Sequence, residues 1–393
     1  MNDVALSESR PIEIPRLRVR LVSDLRELER LRPDWLALEE VPADHGAVFF
    51  QSFDWCHHVA QLRLKLSPDR YKLRVAVIED DIGLVGLWPL SLQYGSRMWA
   101  VRNLDDPFGQ LAGFLCRHSH WIEPCVHAVL DYLRRKGLAD AVCIDSVIEG
   151  SPLHCALISA GAKTGGSNEI VQVDMRGSPT FTDYQRTLNA KTRKNLRNSM
   201  NRLRTAHGEV TNVVIGEPEK LTPLVKQTFD GRVDWMQRNG KSTNAFRDAD
   251  FRPLVEGLCQ GPSLSLIGFQ MHAFGKLIAS QWGFVHQGRY YAYISAREPG
   301  FEEFSPGRLH LGSVIAACKT RGLDIVELMA PAARYKLMWT DRVTGINDMW
   351  MPLTARGTVT LGILEVVMPA VRGLARALPK GLKRRLARRV NSE

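Results

Sequence analysis

One short stretch of the sequence has residue types that suit the binding of an anion. It follows the strand-like Arg289 to Ala296, opens an apolar helix, and consists of Ser305, Pro306, Gly307, Arg308 and Leu309. Serine is a common N-cap and proline a common first helical residue, so a helix is predicted to begin here. Its free N–H groups and positive dipole end favour an anion, most naturally a pyrophosphate, and Gly307 leaves the backbone accessible. The alternative is a well-capped helix without a ligand.

A second stretch runs from Glu327 to Trp339, where a predicted strand ends in a proline-containing loop followed by a short predicted helix. Ligands of α/β sheets lie beyond the carboxyl ends of the strands, and this helix presents Tyr335, Lys336 and Trp339 there. Tyr335 can act as a general acid, and Lys336 can pair with a phosphate or polarise a carbonyl. The alternative is that Tyr335 and Trp339 pack between sheet and helix, with Lys336 in solvent.

Cys116, His118 and His120 have metal-ligand chemistry at alternating positions, which share one face of a strand. Zinc sites usually show tighter paired spacings, so we predict a surface turn here and no metal site. The sequence contains no GxSxG, HExxH, GxxxxGK[ST], GxGxxG or CxxC motif. Their absence argues against the hydrolase, metalloprotease, nucleotide-binding and dithiol chemistries that these motifs carry.

The net charge of +10 in 393 residues is concentrated in two patches. Residues 186–204 carry seven basic side chains and residues 372–389 carry eight, and neither patch contains an acid. Elsewhere 37 basic side chains face 42 acidic ones, so the chain is not a uniformly basic nucleic-acid binder. The first patch lacks the interleaved aromatic residues of an RNA-stacking surface. It is either a solvated helix face or a contact for the phosphates of a cofactor or of tRNA.

The second patch combines with apolar residues into a predicted amphipathic surface helix. Its cations predict peripheral contact with an anionic membrane, and the alternative is a helix packed on its own domain with a frayed basic end. The best apolar run, residues 359–371, is too short and too interrupted to cross a bilayer. The N-terminus has no secretory leader pattern, so we expect a cytoplasmic protein that contacts the inner face of the membrane.

Apolar periodicity predicts an α/β fold with two related domains in tandem. The second half follows the order strand, helix, helix, three strands, helix, strand, helix, strand, and the first half shows a looser version of that order. The predicted segments are a disordered lead-in at 1–16, a first domain at 17–180, a basic linking helix at 181–208, a second domain at 209–355 and the basic C-terminal helix at 356–393.

These stretches together resemble the GNAT acyltransferases. Within them the chain is similar to the CelD-type bacterial branch, which is linked to cellulose and exopolysaccharide synthesis and related to the FemAB peptidyltransferases. The resemblance covers most of residues 17–353 and implies tandem GNAT-like domains, each a mixed twisted sheet flanked by helices. Besides the anion stretch, the segments that carry it are Phe50-Gln51-Ser52 with Trp55, Lys191 to Leu203, Ala279 to Phe284 with Tyr293, and Ala330-Pro331 with Tyr335-Lys336 and Trp339.

The resemblance implies acyl transfer from acetyl-CoA, or another acyl-CoA, to a small-molecule or saccharide amine, without a metal. It places Ser305 to Leu309 at the pyrophosphate loop and Tyr335-Lys336 at the family's YK pair. We expect Tyr335 to be the acid, Lys336 to assist and Glu327 to be a weaker candidate base. The implied substrate-binding residues are Trp282, Tyr293 and Trp339. The family's loop is rich in glycine and here only Gly307 of that pattern remains, which leaves room for another acyl donor.

Two alternative functions stay open from the sequence. One is a FemAB-like transferase that takes an aminoacyl group from tRNA held by the basic helix at 181–208. Its binding would depend steeply on salt, since phosphate contacts release counterions. The other is a non-catalytic scaffold of an exopolysaccharide assembly complex, which would bind no acyl donor.

Overall fold

The computed structural model of the chain describes residues 16–41, 49–259 and 264–367. The strands of this part are β1 (Arg18–Val22), β2 (Tyr71–Leu73), β3 (Val75–Glu79), β4 (Leu84–Trp88), β5 (Leu90–Gly95), β6 (Met98–Asn103), β7 (Leu115–Cys116), β8 (Ala141–Ile148), β9 (Lys163–Asp174), β10 (Val210–Ile215), β11 (Leu266–Ala273), β12 (Lys276–His286), β13 (Arg289–Arg297), β14 (Ile325–Met329) and β15 (Val343–Pro352). The α-helices are α1 (Leu25–Arg30), α2 (Arg32–Glu39), α3 (Phe53–Leu66), α4 (Ile122–Lys136), α5 (Pro152–Ser159), α6 (Phe181–Thr187), α7 (Ala190–His207), α8 (Pro218–Arg238), α9 (Asn244–Arg247), α10 (Phe251–Gly257), α11 (Pro306–Thr320) and α12 (Ala355–Leu361).

Local sequence signals set the helix boundaries. The Ser151 side chain accepts a hydrogen bond from the His154 N–H at the start of α5, and α6 begins with a capping box between Thr180 and Asp183. Helix α4 ends at Gly137, whose φ of 59° lies in the left-handed region. Glycine adopts that conformation without a Cβ penalty, so it ends the helix cleanly.

Two sheets form the framework. The large sheet has eleven strands in the order β10-β11-β12-β13-β14-β9-β15-β8-β6-β5-β2, and the small one has the order β1-β3-β4-β7. Most neighbours are antiparallel, whereas β13 with β14 and β6 with β8 are parallel. Helices lie along both sheets, so the predicted mixed α/β fold with twisted mixed sheets flanked by helices is confirmed.

The two halves of the chain share the large sheet by exchanging strands. Strand β9, from the first half, pairs with β14, and strand β15, from the end of the second half, pairs with β8. The exchanged strands β9 and β15 also pair with each other. Main-chain hydrogen bonds therefore run without interruption from one half to the other, which fixes their relative position.

An aromatic cluster fills the space between the halves. Phe49 stacks on Phe284 with ring centroids 4.1 Å apart, and Trp55 meets Phe284 edge-on at 5.5 Å. These side chains belong to one buried apolar cluster that also includes residues of α8 and α10. Burial of large aromatic side chains from both halves adds hydrophobic stabilisation to the shared sheet.

Three predicted elements differ in the structure. The basic linking helix is two helices, α6 and α7, separated at Leu188 and Asn189, where Asn189 caps α7. The predicted short helix at 333–339 is a series of hydrogen-bonded turns. Leu361 of α12 is buried against β6 and β8, so the start of the predicted basic C-terminal helix is part of the core. Residues 1–15 of the predicted lead-in and the cations at 372–389 lie outside the described residues.

No helix in the described ranges has the length and apolar character needed to cross a bilayer. The predicted domain boundaries fall between elements, since residue 180 precedes α6 and residue 209 precedes β10. They stay predictions.

Gly283 offers a direct test of the centre of the large sheet. A Cβ at this position would lie 2.0 Å from the Tyr291 carbonyl oxygen, at a bulge where the register of β12 against β13 shifts. We expect Gly283→Ala to destabilise the protein by about 1–3 kcal/mol or more, because backbone must move to admit the methyl group. Gly216→Ala is the matched control, since nothing lies within 4 Å of its Cβ position. Equal thermal unfolding midpoints for the two variants would contradict this description of the bulge.

Candidate active site

Strands β13 and β14 pair for three residues and then separate. The parallel register joins Arg289 to Ile325 and ends with Tyr291 opposite Glu327. Beyond that point β13 continues beside β12 as far as Arg297, while β14 continues beside β9 as far as Met329. On the β14 side, residues 292–297 of β13 therefore have no strand partner in the described part of the chain.

Register irregularities flank this separation on both sides. One lies between Trp282 and Gly283 in β12 and the other between Glu327 and Met329 in β14. Bulges bend a strand and increase its local twist, so they direct β13 and β14 away from each other. Met329 has φ of 58°, which turns the chain out of the sheet at its carboxyl end.

The separated strands open into a cavity of about 480 Å³. Its walls include Tyr293 and Ser295 of β13, Leu328 of β14, and Tyr335 and Lys336 from the turns that follow. The structure thus brings Tyr335, Lys336 and Tyr293 together, as the sequence predicted them to meet at the strand ends. The Tyr293 hydroxyl donates to the Phe108 carbonyl at 2.9 Å, which fixes its ring in the wall.

Tyr335 is half-buried in this cavity. Burial raises the pKa of its hydroxyl, and the positive charges of Arg297 and Arg232 oppose that rise. The hydroxyl is therefore protonated at neutral pH, and the two guanidinium groups favour the phenolate that forms when it gives up its proton. This environment suits a general acid.

Lys336 is buried, in contrast to the solvent-exposed alternative considered from the sequence. Its ammonium donates to the carbonyl oxygens of Met329 at 2.9 Å and Ala330 at 3.3 Å. These carbonyls lie at the end of β14, so Lys336 holds the strand end in its turned-out conformation. Burial, with a smaller contribution from Arg232, lowers the pKa of Lys336 to about 8.

The predicted anion stretch begins α11 at Pro306, but its capping differs from expectation. Ser305 has a left-handed backbone with φ of 55°, and its side chain does not cap the helix. Its hydroxyl instead accepts a hydrogen bond from Arg308. The Arg297 side chain passes over Gly307, 2.8 Å from where a Cβ would lie. Because the Arg297 charge also acts on Tyr335, the helix start and the tyrosine adjoin. Leu309 is buried in the apolar cluster under α11.

Three other predicted site residues lie outside this cavity. Glu327 is 5% exposed and forms an ion pair with Arg289 at 2.9 Å, while also accepting from Gln172 at 2.8 Å. It therefore stabilises the sheet and does not reach Tyr335. Trp282 and Trp339 are fully buried packing residues, Trp339 against Gly312 of α11. Within the described ranges no three His, Cys, Asp or Glu side chains are arranged to hold a metal ion.

Comparison with known proteins bears on this geometry. Residues 190–337, which contain the separated strands, Tyr335 and Lys336, match the model of the acetyltransferase (GNAT) domain. Residues 190–337 form a GNAT acetyltransferase domain. A comparison of the sequence with curated proteins found no match.

Solved structures show a related overall fold. FemX has a TM-score of 0.54 at 10% identity, and the match covers 84% of this chain and 96% of FemX. A conserved protein of unknown function from Bacteroides thetaiotaomicron has a TM-score of 0.52 at 12% identity, over 84% of this chain and all (100%) of that chain. At these identities the likeness concerns the fold alone.

Several polar residues that the sequence analysis did not single out also line the cavity of the GNAT domain. They are Arg232 of α8 and three aspartates, Asp106, Asp145 and Asp348. Asp145 and Asp348 interrupt otherwise apolar strands, β8 and β15, and Asp106 follows β6. An acid inside an apolar strand was the available signal. What the sequence did not reveal is that strand exchange brings β8 and β15 beside each other.

A second cavity, of about 700 Å³, adjoins the first. Both are lined by Asp106, Pro107, Asp145, Asn244 and Asp348. The second cavity lies between the first half's strands and the α9–α10 region, where Arg63 pairs with Asp248 and Asp250, each at 2.9 Å. The GNAT domain therefore meets a polar chamber supplied mostly by the other half.

Lys336 gives a pH-dependent prediction. Its pKa is about 8 in the folded protein against 10.5 as a reference, so between these pH values the unfolded chain binds more protons at this group. Stability must then rise with pH across this window. We expect the stability difference between the natural protein and Lys336→Met to move in favour of the natural protein from pH 8 to 10.5. Denaturant unfolding at several pH values measures it, and a pH-independent difference would contradict the burial of a depressed ammonium.

Proposed function

We propose that the chain transfers an acyl group, in the simplest case acetyl, from a coenzyme A thioester to an amine. The observation that carries the proposal is the separation of β13 from β14 within the GNAT domain, where the cavity between the strands reaches Tyr335. The donor would lie in this cavity with its thioester near the tyrosine hydroxyl.

The chemistry of the cavity fits such a donor. The pantetheine arm contains amide groups, and residues 292–297 of β13 present an unpaired strand edge that can exchange hydrogen bonds with them. The donor's phosphates are anions, and Arg297 lies across the start of α11 at Gly307. A positive guanidinium beside a helix N-terminus favours phosphate at that position.

The reaction requires one bond to form and one to break. The acceptor nitrogen attacks the thioester carbonyl, and collapse of the tetrahedral intermediate breaks the carbon–sulfur bond. Tyr335 gives its proton to the departing sulfur, and the proton lost by the acceptor nitrogen restores the phenol. Arg232 and Arg297 stabilise the transient phenolate, and Lys336 keeps the strand end in place.

The acceptor belongs to the finer part of the proposal. The CelD-type resemblance favours an amine on a saccharide that is built into a cell-surface polysaccharide. A cytoplasmic enzyme at the inner face of the membrane would suit that role. The scaffold alternative would bind no donor.

One observation favours a second candidate function, transfer from an aminoacyl-tRNA. Helix α7 exposes Lys191, Lys194, Arg197, Arg202 and Arg204. It contains no acid, which is the arrangement that phosphate backbones attract. The two donors differ in their salt dependence, because tRNA binding would weaken steeply between 50 mM and 200 mM salt and acetyl-CoA binding far less.

Tyr335→Phe tests the proposed chemistry. The substitution keeps the ring and removes the proton, so we expect turnover to fall by about 10²-fold or more. Calorimetry should show acetyl-CoA affinity little changed, because the hydroxyl acts on the leaving sulfur in the transition state. Retained turnover would make Tyr335 a packing residue. Failure of the natural protein to bind acetyl-CoA would contradict the proposed function itself.

A further inference from the structure

The cavity beside Tyr335 has an uncompensated positive side. The Arg232 guanidinium is half-buried and stacks 4.8 Å from the Trp235 ring centre. It forms no ion pair with an acid anywhere in the described ranges, and its charged neighbour is another cation, Arg297. A partly desolvated cation that faces a like charge is costly, and an anion in the cavity would relieve that cost.

The same cavity has a negative side formed by three aspartates from other elements. Arg102 pairs with Asp106 at 3.1 Å and lies 3.7 Å from Asp145. Asp348 accepts the Ser146 N–H at 2.9 Å and has no ion-pair partner in the part of the chain described here. One guanidinium thus faces three carboxylates, and burial raises the pKa of Asp348. This side has room for one more cation.

The geometry points to an acceptor that carries both charges. We propose that the acceptor is an amine that also bears an anionic group, a carboxylate or a phosphate. Arg232 binds the anionic group, and the wall of Asp106, Asp145 and Asp348 binds the ammonium before it loses its proton. The inference deepens the proposed function by naming the acceptor class, and it rests on that function only for what happens after binding.

The two ends of the cavity come from different parts of the chain. Arg232 belongs to α8 of the GNAT domain, whereas Asp106 and Asp145 belong to the first half and Asp348 to the exchanged strand β15. A ligand with one charge satisfies one end and leaves the other unpaired. A ligand with both charges satisfies each end, so charge selects the acceptor.

The test compares matched ligands without any acyl donor. The first set is glucosamine 6-phosphate against glucosamine, and the second is 4-aminobutyrate against butylamine and butyrate. Ligand-observed NMR or calorimetry gives the dissociation constants. We expect at least one doubly charged member to bind about tenfold or more tightly than its singly charged matches, as two charge-assisted contacts predict. The phosphate and carboxylate arms distinguish the two anionic groups.

Variants assign each contact. Arg232→Gln should abolish the preference for the doubly charged ligand, and Arg232→Lys should restore part of it. Asp348→Asn should weaken both members of a pair that carry the amine by a similar factor. Arg238→Gln is the matched control, because Arg238 lies on the same helix but outside this cavity. It should leave all constants unchanged, and melting curves verify that each variant is folded.

Three outcomes would overturn the inference. The first is that no doubly charged ligand binds better than its singly charged match. The second is that Arg232→Gln and Arg238→Gln behave alike. The third is that Arg232→Gln weakens acetyl-CoA binding and leaves these ligands unaffected, which would assign Arg232 to the donor. None of these removes donor binding from the natural protein, so the proposed function is judged separately. Conversely, charge-selective binding in a protein that ignores acetyl-CoA would support this site and reject the acyl-CoA reaction.

Discussion

The divergence of β13 from β14 is the constraint on which the rest of the site depends. Each strand is held by its outer neighbour, β12 or β9, and the register irregularities next to Gly283 and Met329 bend the pair apart. The unpaired edge of β13, the cavity and the position of Tyr335 all follow from this one break in a parallel ladder. Lys336 then bonds the carbonyls that the break leaves at the end of β14, which keeps them from being buried without a partner.

Strand exchange explains why the cavity is chemically mixed. Because β15 lies between β9 and β8, residues distant in the chain line one chamber, and Asp348 meets Asp145 there. The GNAT domain contributes the separated strands and the arginines, and the first half contributes most of the carboxylates. Aromatic packing of Phe49 on Phe284 holds the two contributions together.

The sequence predicted the features that depend on nearby residues. Tyr335 and Lys336 follow a strand directly, so strand-end logic placed them correctly in the cavity. Glu327 could not be placed in the same way, because Arg289 and Gln172 pair with it from neighbouring strands. The burial of Trp282 likewise depends on the cluster between the halves, and the roles of Arg232 and Asp348 depend on strand exchange. None of these contacts leaves a periodic or motif signal in the chain.

Hydrogen–deuterium exchange with and without acetyl-CoA tests the central claim most directly, since protection reports which backbone groups a ligand covers. The account predicts protection of the β13 edge at residues 292–297, of the start of α11, and of residues 328–336. These segments are far apart in the sequence and meet only where β13 and β14 separate. Binding that leaves all three segments unchanged, or protects α7 instead, would contradict the placement of the donor between these strands.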